Sequence, residues 1–352
     1  MTAGITKEDR LLLVGEAAWH GLGTVIPRDS APNVREGFRR TVPWEPRLIP
    51  IVWDRAGVAT PVPDSRGIVA DYGPVRPPRF LSTVGADYKL VSHEQLLMLA
   101  EAAEALGSEV KLETVGTTNG GRRIFLLLRV GRYGVGLNRE DETSTYFALL
   151  NSYDGSTALR GFGTEVRIVC KNTFGGALTR ADSDAVGFRI AHNVPDMDAA
   201  IEMARKAIGA GRLQLANMEA QANVLADTPL RSATVAEYFG RVSSVLFPAV
   251  ATERPSDPTE AEAWERQRAR AKDTVGKWME ELEHERQALV AGTAYAALEA
   301  VTHWADHGRP RVREGASDKL LGRGARIKFQ ARELALQLVG ADEGSVPPPW
   351  HP

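Results

Sequence analysis

The chain has 352 residues, of which 43% are hydrophobic and 25% charged, with a net charge of -2 at pH 7. This composition is typical of a soluble globular protein, and the length allows one large domain or two of ordinary size. The near-neutral charge excludes a global basic excess, so any nucleic-acid site must be a local patch. The single cysteine, Cys170, excludes an internal disulfide framework and a zinc site built from cysteines. The lack of a membrane-length apolar run and of a signal-peptide pattern predicts a cytoplasmic protein.

The first half of the chain alternates predicted helices and strands. Apolar residues at helical spacing predict a short helix over residues 33–41 and another over residues 93–106, which begins with a capping box of Ser92 and Gln95. Apolar runs bounded by turn signals predict the strands. These strands cover residues 47–53, 79–84, 109–115, 122–130, 146–150, 157–162, 165–170 and 187–192.

Glycine and proline indicate where these elements are interrupted. The Thr-Thr-Asn-Gly-Gly sequence at residues 117–121 and the Asp154-Gly155 pair predict hairpin turns, because glycine accepts a positive φ at little cost. The prolines between residues 54 and 79 predict a long loop or an irregular hairpin. Pro50 predicts an edge position for its strand.

Residues 144–178 form the stretch around which the chain is organised. Gly161 and Gly163 predict a bend between two strands, and Asn172-Thr173 predicts the capped start of a helix. If the strands pair in sequence order, three cations reach one neighbourhood of the sheet, next to amide and hydroxyl side chains. The cations are Arg160, Arg167 and Lys171, and the polar neighbours are Asn151, Ser152, Asn172 and Thr173. Such a set suits a phosphate-rich ligand, although a solvated sheet face with scattered arginines is an equal alternative.

The second half of the chain is predicted to be helical. Its apolar spacing predicts helices over residues 196–226, 234–247, 259–290, 292–307 and 325–339. The predicted fold class is therefore α+β, an antiparallel hairpin-rich sheet with packed helices followed by a mainly helical C-terminal half. We expect a sheet domain over residues 1–194, a helical region over residues 195–340 and a flexible tail over residues 341–352.

The motifs of nucleotide-binding loops and nucleophile elbows are missing from the sequence. His303 and His307 are four residues apart on one predicted helix, a spacing that can hold a metal, but no glutamate follows His303 to act as a base. Two ordinary histidines at a polar helix end are the simpler interpretation. The sequence therefore predicts no catalytic residue, no metal site and no cofactor.

A basic cluster near the C-terminus stands out in a chain of near-zero net charge. Residues 309–332 include eight cations and only two carboxylates. Arg323, Arg326 and Lys328 surround a glycine-containing turn at a predicted helix start. Helix starts bind anions well, so this clustering favours a polyanionic partner. A solvated basic face is the alternative.

Four motifs in order resemble the phage/plasmid-like protein family, domain of unknown function 932. They are Trp19-His20-Gly21-Leu22-Gly23, Asn151-Ser152-x-Asp154-Gly155-Ser156, Arg167-x-Val169-Cys170-x-Asn172-Thr173, and Gly292 to Ala297 followed by Ala300-Val301-Thr302 and Asp306-His307. The chain departs from the family pattern at Glu299, where the family commonly has asparagine. The resemblance implies a phage or plasmid setting and no particular activity. The order of elements is also similar to that of RecT and Red-beta single-strand annealing proteins, which hold DNA in a basic groove, but without a shared motif.

Together these features lead to a non-catalytic, phage-type protein that binds and anneals single-stranded DNA in the host cytoplasm, in recombination or replication. Phosphate contacts are expected from Arg160, Arg167, Lys171, Asn172 and Thr173, with Arg323, Arg326 and Lys328 as a second set. Trp19 and Tyr153 are expected to stack on bases.

Two other classes stay open at this point. One is a metal-dependent enzyme acting on nucleic acid or nucleotides, using Asp154 or the two histidines. The other is an assembly or host-takeover protein whose long charged helix binds another protein. Because Trp264 and Trp278 are expected to be exposed on that helix, the sequence also predicts a homo-oligomer.

Overall fold

The computed structural model describes residues 7–15, 23–167, 172–174, 187–248, 253–308 and 323–340. Its strands are β1 (Leu11–Val14), β2 (Thr24–Ile26), β3 (Glu45–Arg55), β4 (Val58–Asp71), β5 (Arg79–Gly85), β6 (Lys111–Thr118), β7 (Arg123–Val135), β8 (Asp141–Ser152), β9 (Leu159–Arg167), β10 (Asn172–Phe174) and β11 (Gly187–Ile190). Its helices are α1 (Val34–Thr41), α2 (His93–Glu104), α3 (Met197–Asp227), α4 (Ser232–Leu246), α5 (Pro258–Leu282), α6 (Ala294–His303) and α7 (Arg323–Leu338). The fold is α+β, with the strands in the first half and most helices in the second, as the sequence predicts.

The main sheet has eight described strands: seven lie in the order β10-β9-β8-β7-β6-β1-β2, and β11 also pairs with β9. Strands β6 to β9 form an antiparallel meander, and β1 pairs with β2 in parallel. The outer edge of β9 is shared, because β10 pairs with residues 165–167 and β11 with residues 159–162. The predicted hairpin turns are confirmed: Asn119, Gly120, Gly121 and Gly155 all have positive φ.

The second sheet consists of β3, β4 and β5. Of the two alternatives predicted for residues 54–79, a long loop or an irregular hairpin, the irregular hairpin is confirmed: β4 pairs antiparallel with β3, with a register shift between Pro50 and Val52. Prolines are tolerated there because Pro61 pairs with β3 on one side, while the contact of β4 with β5 begins only at Ser65. Pro50 lies on the edge strand β3, as predicted.

Strand β9 corrects two further predictions. It continues through Gly161 and Gly163 without ending, and it keeps one register with β8 from Arg160 to Arg167. The glycine at 161 serves close packing instead of a bend: a Cβ there would lie 2.7 Å from the Phe147 ring and against Phe188. Asn172-Thr173 belongs to strand β10 and does not begin a helix. Ile168 to Lys171, including Cys170, lie outside the described residues.

Two hydrophobic cores hold the described chain together. The first lies between one face of the main sheet and helices α1, α2 and the start of α3, and the second lies among the C-terminal helices. Helix α3 contributes Ile201 to the first core and Leu225 to the second, and β7 contributes Val135 to the second. The two halves therefore share elements. The expected tail, residues 341–352, lies outside the described residues.

The observed helices begin close to the predicted first residues. Helix α2 has the predicted capping box of Ser92 and Gln95, and Asp196 caps α3. Among the helices of the described chain, none is both long enough and apolar enough to cross a membrane.

The charged helix α5 is packed differently from the prediction. Trp278 is completely buried in the second core, and Trp264 lies under the Arg268 guanidinium, 5.3 Å from the ring centre. The prediction of a homo-oligomer thus loses its original argument, since these tryptophans do not form an exposed stripe.

Candidate nucleic-acid interface

Residues 160 and 167 both belong to β9 but occupy distant positions along the strand. Residue 160 pairs with Leu150 of β8 and residue 167 with Thr143 in an unbroken register. Side chains alternate between the faces of a strand, so two positions seven residues apart lie on opposite faces and about 23 Å apart along the strand. The backbone positions of residues 160 and 167 therefore contradict the expected cluster on one face, and Lys171, its third member, lies outside the described residues.

Arg160 has a different cationic neighbour, Arg189 of β11. The two residues are directly opposite each other in the antiparallel pair. Arg189 is exposed, while Arg160 is half-buried and its buried Nε has no hydrogen-bond partner. Burial, together with the Arg189 charge, lowers the pKa of Arg160. Within the described ranges, no carboxylate forms an ion pair with either arginine.

The residues next to this arginine pair on the same face of the main sheet are apolar. A cross-strand row runs from Phe125 of β7 through Leu150 of β8 to Arg160 and Arg189. Leu150 packs with Ala148, Phe162 and the partly buried Phe125 and Leu127 in a small third cluster. The guanidinium pair thus lies beside a buried apolar cluster, where desolvation strengthens the attraction of an anion.

The Asp154-Gly155-Ser156 turn brings a third arginine to the same end of the sheet. Asp154 Oδ1 accepts a hydrogen bond from the Ser156 backbone N–H at 3.0 Å and another from the Ser156 hydroxyl. The Ser156 hydroxyl oxygen in turn accepts a bond of 2.9 Å from Arg123 Nε. Arg123 begins β7 opposite Ser152, two residues from the row that contains Arg160. The motif therefore fixes the orientation of an arginine.

The preceding residues of the same motif have structural roles. Tyr153 is completely buried, its ring lies 5.7 Å from that of Trp44, and its hydroxyl donates to the Val91 carbonyl at 3.2 Å. The expectation that Tyr153 stacks on a base is therefore wrong, because no part of its ring reaches the surface. Asn151 and Ser152 are also buried, and the Ser152 hydroxyl closes the turn through the Thr157 carbonyl at 2.7 Å.

The C-terminal basic cluster is partly internal. Lys328 is 1% exposed and its Nζ donates to Asp306 Oδ1 at 2.9 Å. Arg332 is also buried and donates to Gln221 at 3.0 Å, whereas Arg326 is exposed. The expectation of a phosphate contact from Lys328 is therefore wrong, because a buried carboxylate already compensates its charge.

Several expected site residues cannot be placed. Trp19 and Lys171 lie outside the described residues, and so do residues 309–322 of the basic cluster. For Arg167, Asn172, Thr173 and Arg323, the structure describes the backbone but not the side chain.

The two histidines considered as metal ligands lie close together. The rings of His303 and His307 are 4.7 Å apart, and His303 Nδ1 lies 3.1 Å from Glu281 Oε2. The described ranges contain no group of three or more His, Cys, Asp or Glu side chains arranged to hold a metal ion.

Two residues of the observed cationic site, Arg123 and Arg189, were missed in the sequence. The strand containing Arg189 is predicted correctly. Its pairing with β9 is not evident from the sequence, because β11 follows in the chain only after residues 175–186. The Asp-Gly-Ser turn could have pointed to Arg123, because the Ser156 hydroxyl accepts a hydrogen bond from this arginine in the adjacent hairpin.

Comparison with protein-family models gives a match. The family model described as a domain of unknown function (DUF932) matches residues 80–329. No curated protein sequence and no solved structure matches the chain. The matched region begins in β5 and ends inside α7, so it contains all three arginines of the cationic site and leaves β3 and β4 outside.

Proposed function

This chain belongs to the DUF932 family, and we propose that it is a non-catalytic, phage-type protein that binds single-stranded DNA and anneals complementary strands in the host cytoplasm. The observation that carries the proposal is the Arg160–Arg189 pair. Like charges directly opposite each other on neighbouring strands are destabilising, and the described chain pairs neither arginine with a carboxylate. A bound phosphate removes the repulsion and satisfies the guanidinium donors with charge-assisted hydrogen bonds.

The surroundings of the pair favour a nucleic-acid strand over a small anion. Arg123 lies on the same end of the sheet, held in place by Ser156, so successive phosphates of one strand meet successive arginines. The protein as a whole carries a net charge of -2, so the attraction is local. A single strand is flexible enough to follow such a narrow site. A duplex is stiff and brings its second strand against the rest of the protein surface.

The substitution Arg189→Glu tests the proposal with little risk to the fold. The new carboxylate lies opposite Arg160, so it replaces a repulsive cross-strand pair by an attractive one. Stability should rise by up to about 1 kcal/mol. Binding of a fluorescein-labelled oligothymidine, followed by anisotropy at low salt, should weaken at least tenfold, because two phosphate-facing charges are neutralised together.

A matched control is Arg205→Ala on α3, an exposed arginine that is already paired with Glu202 at 2.7 Å. It should leave oligonucleotide affinity unchanged. In a strand-annealing assay with complementary labelled oligonucleotides, the wild-type protein and Arg205→Ala should be active, and Arg189→Glu should be impaired. If the wild-type protein fails to bind any oligonucleotide at low salt, the proposal is wrong, and a protein partner becomes the leading alternative.

A further inference from the structure

The turn between β6 and β7 contains an asparagine that is followed by glycine. Asn119-Gly120 is the single Asn-Gly pair in the sequence, and both residues have a positive φ, 56° and 67°. Asn119 is partly exposed to solvent. Glycine leaves its backbone nitrogen unshielded, because no Cβ hinders the approach of that nitrogen to the preceding side chain. The turn therefore has the sequence and the exposure that spontaneous deamidation needs.

Deamidation at such a pair is an attack within the chain followed by hydrolysis. The Gly120 backbone nitrogen loses its proton and attacks Asn119 Cγ, so that a cyclic imide forms, the Cγ–Nδ2 bond breaks and ammonia leaves. Water then opens the imide at either of its two carbonyls. One opening gives aspartate, and the other gives isoaspartate, in which the main chain runs through the former side chain. The nucleophile of the reaction is thus the Gly120 nitrogen.

A carboxylate from the segment before β1 holds this nucleophile. Asp9 Oδ2 accepts a hydrogen bond from the Gly120 N–H at 3.0 Å, and Asp9 Oδ1 accepts one from the Gly121 N–H at 2.8 Å. Asp9 Oδ1 also accepts from the Thr117 hydroxyl at 3.0 Å. Because two adjacent N–H groups are bonded to one carboxylate, the orientation of both peptide planes is fixed.

The segment that carries Asp9 is attached to the same hairpin. The Arg10 N–H donates to Thr117 Oγ1 at 3.0 Å, and the Thr117 N–H donates to the Arg10 carbonyl at 2.9 Å. These bonds continue the pairing of β1 with β6, in which Leu11 lies opposite Gly116. Strand pairing therefore holds the Asp9 carboxylate against the turn.

Two effects of Asp9 oppose the reaction. The hydrogen bond to the Gly120 N–H must break before the nitrogen can rotate onto Asn119 Cγ. Loss of the proton also leaves negative charge on the nitrogen, and a nearby ionised carboxylate disfavours that charge. A carboxylate is too weak a base to compensate by taking the proton from a backbone amide. Asp9 should therefore slow imide formation.

We propose that Asn119 is a site of spontaneous deamidation and that Asp9 restrains the reaction by holding the Gly120 N–H. Conversion to isoaspartate adds a methylene to the main chain and a negative charge to the turn, just before β7 begins at Arg123. Water is the only other reactant. The modification therefore depends neither on a ligand nor on the proposed function.

The test follows the conversion of Asn119 by peptide mapping and mass spectrometry while the folded protein is incubated at neutral pH. A hydrogen bond to a charged group changes an equilibrium by about 10- to 150-fold. Asp9→Ala should therefore deamidate at Asn119 at least about 10-fold faster than the wild type. Asp9→Asn keeps an acceptor oxygen but removes the charge, so its rate should lie between the two.

Two controls accompany these variants. Asn138 is exposed and has a φ of 54°, but Arg139 follows it, so it should stay unconverted in every sample. Asp54→Ala removes a carboxylate from the turn of another hairpin, where it accepts from the Gly57 N–H at 2.8 Å. This variant should deamidate at Asn119 at the wild-type rate.

Hydrogen–deuterium exchange separates loss of the one hydrogen bond from general loosening of the sheet. In Asp9→Ala, exchange at the Gly120 N–H should accelerate, because that group loses its acceptor. The backbone amides of the central strand β7 should exchange as slowly as in the wild type. If they accelerate as well, in both Asp9 variants, faster deamidation comes from unfolding and the restraint by Asp9 is wrong.

The other outcomes are equally distinct. Deamidation of Asp9→Ala at the wild-type rate would show that the carboxylate does not restrain the turn. Slower deamidation would show that Asp9 acts as a base and promotes the reaction, which overturns the inference. Oligonucleotide binding is measured separately on fresh wild-type protein, so its failure ends the proposed function and leaves this inference standing.

Discussion

The two basic regions of this protein look alike in the sequence and differ in the structure. Lys328 and Arg332 in the C-terminal region point into the helical core, where Asp306 and Gln221 accept their hydrogen bonds. Arg160 and Arg189 on the main sheet face each other with no carboxylate between them in the described chain. A local excess of cations therefore does not by itself indicate a binding site. The pairing of strands and helices decides which charges are compensated internally and which are left for a ligand.

The largest expected effect comes from breaking the compensated pair. Lys328→Met leaves Asp306 buried without its ammonium partner, and removing one member of a buried pair costs about 3–5 kcal/mol. Chemical denaturation should show this loss. Oligonucleotide affinity, measured where the variant is still folded, should be unchanged. Weakened binding with unchanged stability would instead place Lys328 at a phosphate.

The double variant Lys328→Met/Asp306→Leu serves as its control. Replacing both members of a buried ion pair by apolar residues of similar size is often neutral or stabilising. The double variant should therefore recover most of the lost stability. A double variant as unstable as the single one would mean that further partners of the pair carry the cost.

The two faces of the main sheet offer a second contrast, which pH can reveal. Helix α2, which packs on the face opposite Arg160, begins at His93. This histidine is 2% exposed between Trp44 and Phe38, and burial lowers its pKa to about 3. In the unfolded chain a histidine titrates near pH 6.5, so below that pH the unfolded state binds more protons and is favoured. The free energy of unfolding should fall by about 1.4 kcal/mol per pH unit between pH 6.5 and 5 from His93.

His93→Gln removes this contribution, and its unfolding free energy should depend less steeply on pH over the same range. A smaller slope remains from His192, whose pKa burial also lowers. Equal slopes for wild type and His93→Gln would show that His93 is protonated in the folded protein.

A smaller effect sharpens the role of strand pairing. Gly161→Ala places a methyl group against Phe188 and Phe147, and overpacking of this kind costs about 1–3 kcal/mol. Because Phe188 is adjacent to Arg189, the substitution should also disturb the arginine pair and weaken oligonucleotide binding. Thermal melting and anisotropy measure the two effects.

Gly276→Ala in the helical half is the matched substitution. Nothing lies within 4 Å of a Cβ at that position of α5, and alanine is a better helix former than glycine by about 0.5–1 kcal/mol. This variant should be slightly more stable and bind normally. A stability loss as large as that of Gly161→Ala would mean that the open space at residue 276 is occupied in the folded protein.

The local elements were predictable from the sequence, and the site was not. The α2 capping box and the Asp154-Gly155 turn depend on residues three or fewer positions apart, and both are confirmed. The prediction of a bend at Gly161 failed because this glycine packs against Phe147 and Phe188, which belong to other strands. The burial of Tyr153 and Lys328 likewise depends on elements distant in sequence, such as Val91 and Asp306. Composition and spacing do not contain that information.

The most direct measurement is the salt dependence of binding for the two basic regions side by side. For a single strand, the slope of log affinity against log salt is about -0.7 per phosphate neutralised. The double variant Arg160→Ala/Arg189→Ala should reduce the magnitude of the wild-type slope by about 0.7 to 1.4. The variant Arg326→Ala, which removes an exposed cation of the C-terminal region, should keep the wild-type slope. If Arg326→Ala reduces the slope and the sheet variant does not, the nucleic-acid site lies in the helical region and the account given for the sheet is wrong.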